Sequence, residues 1–138
     1  MIPMKPLPGR LSDIRARTLS IQSFRIPSSG QAFKVLNTLK PGLNEKAYEN
    51  ALVIELRKRG DLIEQQRRFD VFYEGIQVDT LVPDLLVDGS VVVDPKVVSD
   101  FNSTHVSQMI GYLAITGFKL AILLNFKHAD LRYKRVVG

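Results

Sequence analysis

Hydrophobic positions along this chain change period several times, and the changes fall at glycine, proline and asparagine. Ala32, Phe33, Val35, Leu36 and Leu39 recur at helical spacing and predict a short helix. It must stop before Pro41-Gly42, because a residue preceding proline disfavours the α region. Asn44 then reads as an N-cap, and Ala47, Tyr48, Ala51, Leu52, Ile54 and Leu56 carry the same period to Arg57-Lys58-Arg59-Gly60. A basic last turn followed by glycine is a helix stop. Residues 66–73, 76–87 and 91–97 are rich in β-branched and aromatic side chains, and Glu74-Gly75 and Asp88-Gly89 divide them. They predict a three-strand antiparallel meander. Helical spacing returns over 104–116, with Val106, Met109, Ile110, Leu113 and Ala114 as the apolar stripe and Gly117 as the stop. Residues 120–126 are apolar nearly throughout, as expected of a strand buried on both faces. Helix, three strands, helix, strand implies an α/β (α+β) sandwich: a mixed sheet flanked by helices.

Composition narrows the classes. The chain has 138 residues, enough for one domain with a real core. It is 45% hydrophobic and 24% charged, with no apolar run near the roughly 20 residues that span a bilayer. The expectation is a cytoplasmic protein without a membrane partner. There is no cysteine, which excludes disulfides, thiolate zinc sites and cysteine nucleophiles. His105 and His128 are the two histidines, which argues against a multi-histidine zinc centre. Basic charge concentrates at the start: residues 1–42 carry Lys5, Arg10, Arg15, Arg17, Arg25, Lys34 and Lys40 against Asp13 alone. With its prolines and glycines, residues 1–31 read as a basic, loop-rich arm holding a short helix near 12–18, and residues 32–138 as the domain. Such an arm could add affinity for a polyanion through counterion release, or could be a solvated tail. Arg-rich, Ser-containing and acid-poor, residues 1–30 also have features of an organellar targeting segment.

Candidate chemistry lies in the meander. Between Val82 and Lys96, two apolar runs meet at Asp88-Gly89, and Pro83-Asp84 and Asp94-Pro95-Lys96 punctuate them. Strand side chains alternate faces, so Asp94 and Lys96 share a side, and Asp84 sits across the turn. Two converging carboxylates beside an ammonium group can hold a hard divalent cation and stabilise charge developing on a phosphate.

These residues resemble the signature of the PD-(D/E)xK nuclease superfamily, whose restriction-endonuclease-like core has the element order predicted above. Gly42-x-x-Glu45-x-x-Tyr48-Glu49 is similar to the motif of the GxxExxY proteins within it, and Gln108-x-x-x-Tyr112 resembles the QxxxY motif of RecB-like nucleases. Phe72-Tyr73-x-Gly75, Asp84-Leu85-Leu86-Val87 and Leu124-Asn125-Phe126 fit the same pattern. The resemblance implies a metal-dependent nuclease acting on nucleic acid, DNA more than RNA, with Mg2+ or Mn2+ as cofactor. By it, Asp84, Asp94 and Glu45 would bind the metal, with the carbonyl of Pro95 as a further ligand. Lys96 would orient water or neutralise the transition state, and Gln108 would join the catalytic group. Tyr112 and His105 would contact substrate.

Other readings stand beside these. Glu45 is also a favourable acid in a helix first turn, Glu49 a partner for a nearby Lys or Arg, and Tyr48 and Tyr112 core aromatics. Asp79 reads as strand exterior and Asp88 as turn. Where relatives carry Glu-Leu-Lys, this chain has Asp94-Pro95-Lys96, and proline inside a central strand predicts a lost ladder bond or a bulge. A second function class is a catalytically inactive nuclease fold that binds nucleic acid or a protein. A third is homo-oligomeric assembly through the last strand or an edge of the meander.

Overall fold

The computed structural model describes residues 30–138, so the basic arm before residue 30 and the helix expected at 12–18 lie outside the described residues. Residues 30–39 are helical (α1) and bury Ala32, Val35 and Leu36. The helix stops at Lys40, whose φ of 65° is left-handed. Asn44 is extended and opens α2 (Glu45–Arg59), although its side chain makes no capping bond. Helix α2 buries Tyr48, Glu49, Leu52, Val53 and Leu56 and ends at left-handed Gly60. Ile54, expected on the buried stripe, is 57% exposed, and Val53 takes its place.

Seven strands and one further helix follow: β1 (Ile63–Gln65), β2 (Phe69–Tyr73), β3 (Ile76–Leu81), β4 (Leu85–Val87), β5 (Val91–Lys96), α3 (Ser103–Thr116), β6 (Leu120–Asn125) and β7 (Arg132–Val137). Five of them form one mixed sheet in the order β1-β4-β5-β6-β7, with β5 and β6 parallel and the other pairs antiparallel. The meander is therefore β1-β4-β5, and β2 and β3 form a separate two-stranded hairpin inserted between its first two strands. The single strand expected over 76–87 is divided into β3 and β4, while that expected over 66–73 is shortened to β2, and β1 lies before it, outside the expected range. Gln66, at φ 56°, turns the chain out of the sheet after β1. Val82-Pro83-Asp84 brings it back, since proline has no N–H to continue a ladder. Strand β7 was not expected, because only Val136 of its six residues is buried. It lies at the sheet edge, where one face of one strand carries little core.

Side-chain alternation divides the core into two layers. Leu85, Val87, Val91, Val93, Leu120, Ile122 and Leu124 face α1 and α2, with Tyr48 stacked on Phe126 at a centroid distance of 4.8 Å. Leu86, Val92, Ala121, Leu123 and Val136 face α3 through Met109 and Leu113. Strands β4, β5 and β6 are buried on both faces, which explains their unbroken apolar runs. The α3 stripe is narrower than expected: Ile110 is 53% exposed and Ala114 is exposed as well. Among the described residues no helix is long and apolar enough to cross a membrane.

Candidate active site

The β4–β5 register pairs Val87 with Val91, Leu86 with Val92 and Leu85 with Val93. One residue further, Asp84 stands opposite Asp94. The Asp84 carbonyl accepts the N–H of Gln66 at 3.1 Å, so its backbone polar groups are directed to β1. Asp84 and Asp94 are thus facing residues without mutual ladder bonds, the arrangement in which cross-strand side chains approach most closely. Both lie on the α3 side of the sheet, by alternation from Leu86 and Val92.

Asp94 is 5% exposed. Burial first and then the adjoining Asp84 carboxyl push its carboxyl up to about 7, against the opposing pull of Lys96. Lys96 lies two residues on along β5, and its Nζ is 3.0 Å from Asp94 Oδ2. Sequence reasoning expected these three residues to converge, and the structure brings them together. From α3, Gln108 Nε2 donates to Tyr112 Oη at 3.1 Å. The Tyr112 hydroxyl is raised above the usual phenol range by burial and by the negative fields of Asp94 and Asp84, so it stays protonated beside them. Gln66 Nε2 reaches Asp84 Oδ1 at 3.4 Å from the other side.

Glu45 is not part of that cluster. It starts α2, on the opposite side of the sheet, and its Oε2 accepts the Val97 N–H at 3.2 Å, just beyond Lys96. Among the described residues no three His, Asp or Glu side chains converge as a metal-binding group. The acids meet as a pair, and Glu45 fixes the exit of β5. Glu49 is 4% exposed and accepts from Lys46 Nζ at 3.0 Å and Gln65 Nε2 at 2.8 Å, which ties α2 to β1. His105 exchanges bonds with Asn102: its backbone N–H donates to Asn102 Oδ1 at 2.9 Å, and its Nδ1 accepts the Asn102 N–H at 3.2 Å. It caps α3.

Pro95 forces no bulge. The register from Val91↔Leu120 to Lys96↔Asn125 is unbroken. The Lys96 carbonyl accepts the Phe126 N–H at 2.9 Å, so Lys96, Asp94 and Val92 bond toward β6. By alternation Pro95 faces the β4 side, where the ladder has already ended, and its carbonyl is directed there too. Asn125 was named in the sequence only within the Leu124-Asn125-Phe126 pattern and was given no role of its own. It is 1% exposed, donates to the Val98 carbonyl at 2.7 Å and accepts the Val98 N–H at 3.2 Å, anchoring the loop after Lys96 to β6. A lone amide closing the run Leu120–Leu124 was its only signal. The glycine motif also has a local explanation: Tyr48 Oη donates to the Lys40 carbonyl at 2.6 Å and accepts the Leu43 N–H at 3.1 Å, around Gly42 at φ 120°.

A magnesium-type ion keeps several waters and commonly takes one or two protein carboxylates plus substrate phosphate oxygens. The Asp84–Asp94 pair fits that donor set, and the opposed carboxyls, one raised by the other, are what a cation would relieve.

Residues 26–136 match the family model of the PD-(D/E)XK nuclease superfamily. No curated protein matches the chain. Among solved structures, an alkaline exonuclease from Laribacter hongkongensis (LHK-Exo) is similar in its complex with dAMP, with 13% identity, 77% of this chain and 75% of that chain covered, and a TM-score of 0.45. A second crystal structure of that exonuclease has 13% identity, the same coverage and a TM-score of 0.44.

Proposed function

This chain belongs to the PD-(D/E)XK nuclease superfamily, and from that premise we propose that it is a metal-dependent nuclease hydrolysing phosphodiester bonds, in DNA rather than RNA. The observation that carries the reading is the facing Asp84–Asp94 pair with Lys96 Nζ at 3.0 Å from Asp94. Asp84 and Asp94 hold Mg2+ or Mn2+, with the Pro95 carbonyl beside them. A bound divalent ion supplies a Lewis acid for the phosphoryl oxygen and acidifies a coordinated water.

The chain's own residues do the rest. Lys96 neutralises part of the paired negative charge, which allows a phosphate to approach, and its ammonium group stabilises charge that builds on the phosphoryl oxygens. Tyr112, kept protonated and aligned by Gln108, presents a donor at the same face. Glu45 and Asn125 hold the backbone on the far side of Lys96 and so fix its direction. We assign the chain to the GxxExxY, RecB-like branch. What supports this is the Gly42–Tyr48 clamp and the pairing of Gln108 with Tyr112.

The test is cleavage of labelled single-stranded, duplex and branched DNA, and of RNA, with Mg2+, with Mn2+ and with chelator. The proposal expects metal-dependent cleavage of DNA exceeding that of RNA. Absence of cleavage on every substrate overturns it, and RNA cleavage alone overturns the substrate assignment.

A further inference from the structure

The hairpin set apart from the sheet and the unforeseen strand β7 carry opposite charge. Strands β2 and β3 with their turn, residues 69–81, contain Asp70, Glu74 and Asp79 and no basic residue. Strand β7 contains Arg132, Lys134 and Arg135 and no acid. Arg132 is engaged by Asp130 and Asp100, at 3.3 and 3.7 Å. Among the described residues Lys134, Arg135, Asp70, Glu74 and Asp79 form no ion pair.

Both surfaces are also apolar and exposed. On the hairpin, Phe72, Tyr73, Ile76 and Val78 are 60–69% exposed, and on β7 Tyr133 and Val137 are 53% and 66% exposed. Both end in free backbone edges. Strands β2 and β3 pair only with each other, and β7 pairs only with β6. The hairpin is well formed: Glu74 and Gly75, at φ 50° and 78°, make the turn with two left-handed residues that suits a tight hairpin. It is seated at its base by Phe69 against Phe118, edge to face at 5.9 Å, and by the Gln66–Asp84 bond. Its tip touches neither layer of the core. An isolated two-stranded hairpin with an apolar tip is marginal in water and gains from a further strand or surface.

The hairpin leaves the sheet between β1 and β4, and β7 is the opposite edge. At about 4.8 Å per strand the two edges of the sheet stand roughly 19 Å apart. Within one molecule no strand pairing and, among the described residues, no ion pair joins the hairpin to β7, and a second copy can bring the two complementary surfaces together. We propose that the β2–β3 hairpin of one copy docks along the free edge of β7 of another, in a head-to-tail contact with the acidic hairpin against Lys134 and Arg135. The contact extends the sheet by strand addition, places Tyr73, Ile76 and Val78 against Tyr133 and Val137, and uses charge to set orientation. Because each molecule offers both halves, repeating the head-to-tail contact gives a closed ring or an open chain.

The test uses the full chain free of nucleic acid and metal, so its outcome is independent of the nuclease reading. Sedimentation velocity over a wide concentration range, at low and high salt, compares wild type with Lys134→Glu/Arg135→Glu and with Glu74→Lys/Asp79→Lys. Expected are concentration-dependent association in wild type, weakened by salt, and a loss of at least about tenfold in association for each reversal alone. Mixing the two variants restores association, which also shows both are folded. Tyr73→Ser and Tyr133→Ser each weaken it without altering its salt dependence. A wild type monomeric at every concentration overturns the proposal and leaves the β7 charges and the bulge at Val71/Phe72 as devices that protect edges. So does association indifferent to both reversals.

Discussion

Leu85 opposite Val93 is the last pair of the β4–β5 register, and Pro83 and Pro95 each lie two residues beyond it on their own chain segments. Both prolines are buried, and neither has an N–H. The antiparallel ladder bonds residues at Val91 and Val93 on this side of β5, so Pro95 is where the next pair of bonds would form. With no donor on either strand it does not form. The ladder ends at Leu85 and Val93, and the two aspartates occupy the resulting fork. The proline expected to cost a ladder bond or force a bulge forces no bulge and falls where the β4–β5 ladder ends.

Pro95→Leu removes no hydrogen bond and gains none inside the β5–β6 ladder, whose register is unbroken through Pro95. The expected cost is only the added freedom of the unfolded chain, about 0.5–1 kcal/mol, read as a shift in the urea midpoint at constant slope. A change of several kcal/mol in either direction would mean the proline bears on packing or pairing that the register does not indicate.

The Asp94 carboxyl gives a pH dependence with a definite sign. Its ordinary value in the unfolded chain is near 3.9, and in the folded protein it is pushed up to about 7. Between those values the native state holds a proton that the unfolded state has released. The Asp94 contribution to stability is therefore greatest below about pH 4, falls as pH rises through 7 and levels off above it. Metal-free wild type should lose on the order of a few kcal/mol relative to Asp94→Asn across that window, in urea titrations with chelator present. Parallel curves for the two proteins would refute a raised Asp94.

Divalent metal should reverse that penalty. Mn2+ is expected to raise the melting temperature of wild type at pH 8, where the Asp94 carboxyl is ionised, and to do so much less at pH 5, where it is protonated. Asp84→Ala and Asp94→Asn should abolish the shift. Glu45→Gln should retain most of it, because the Glu45 carboxylate is bonded to the Val97 N–H and not to the pair. Equal loss in all three would restore Glu45 as a ligand.

Tyr48→Phe tests the loop clamp. The ring remains stacked on Phe126, while the bonds to the Lys40 carbonyl and the Leu43 N–H are lost. About 1–3 kcal/mol of destabilisation is expected from denaturant unfolding.

What could be read in the sequence follows from how local each signal is. The stops at Lys40, Gly60 and Gly117 and the turn at Asp88-Gly89 are short-range chemistry, and they fall where expected. Asp84, Asp94 and Lys96 were legible because strand alternation and one turn suffice to bring them together. Glu45 was not, since the layer in which α2 packs is a tertiary fact that no spacing along the chain encodes. The turn at Glu74-Gly75 was expected, but the hairpin's separation from the sheet was hidden because Val, Thr and Leu continue smoothly from β3 into β4, and only Pro83 marks the break. Strand β7 was hidden because an edge strand needs few apolar residues. Ile54 and Ile110 misled for the converse reason, as a helix buries only the stripe its neighbour covers.

The central claim is that Asp84 and Asp94 form the working centre of a nuclease. Its most direct test is the rate of cleavage of one labelled DNA in Mg2+ by wild type, Asp84→Asn and Asp94→Asn, measured side by side with each protein shown to be folded. The account predicts metal-dependent cleavage by wild type and a loss of at least about a hundredfold, roughly 2.7 kcal/mol of barrier, in each variant. Cleavage by either variant at the wild-type rate would contradict it.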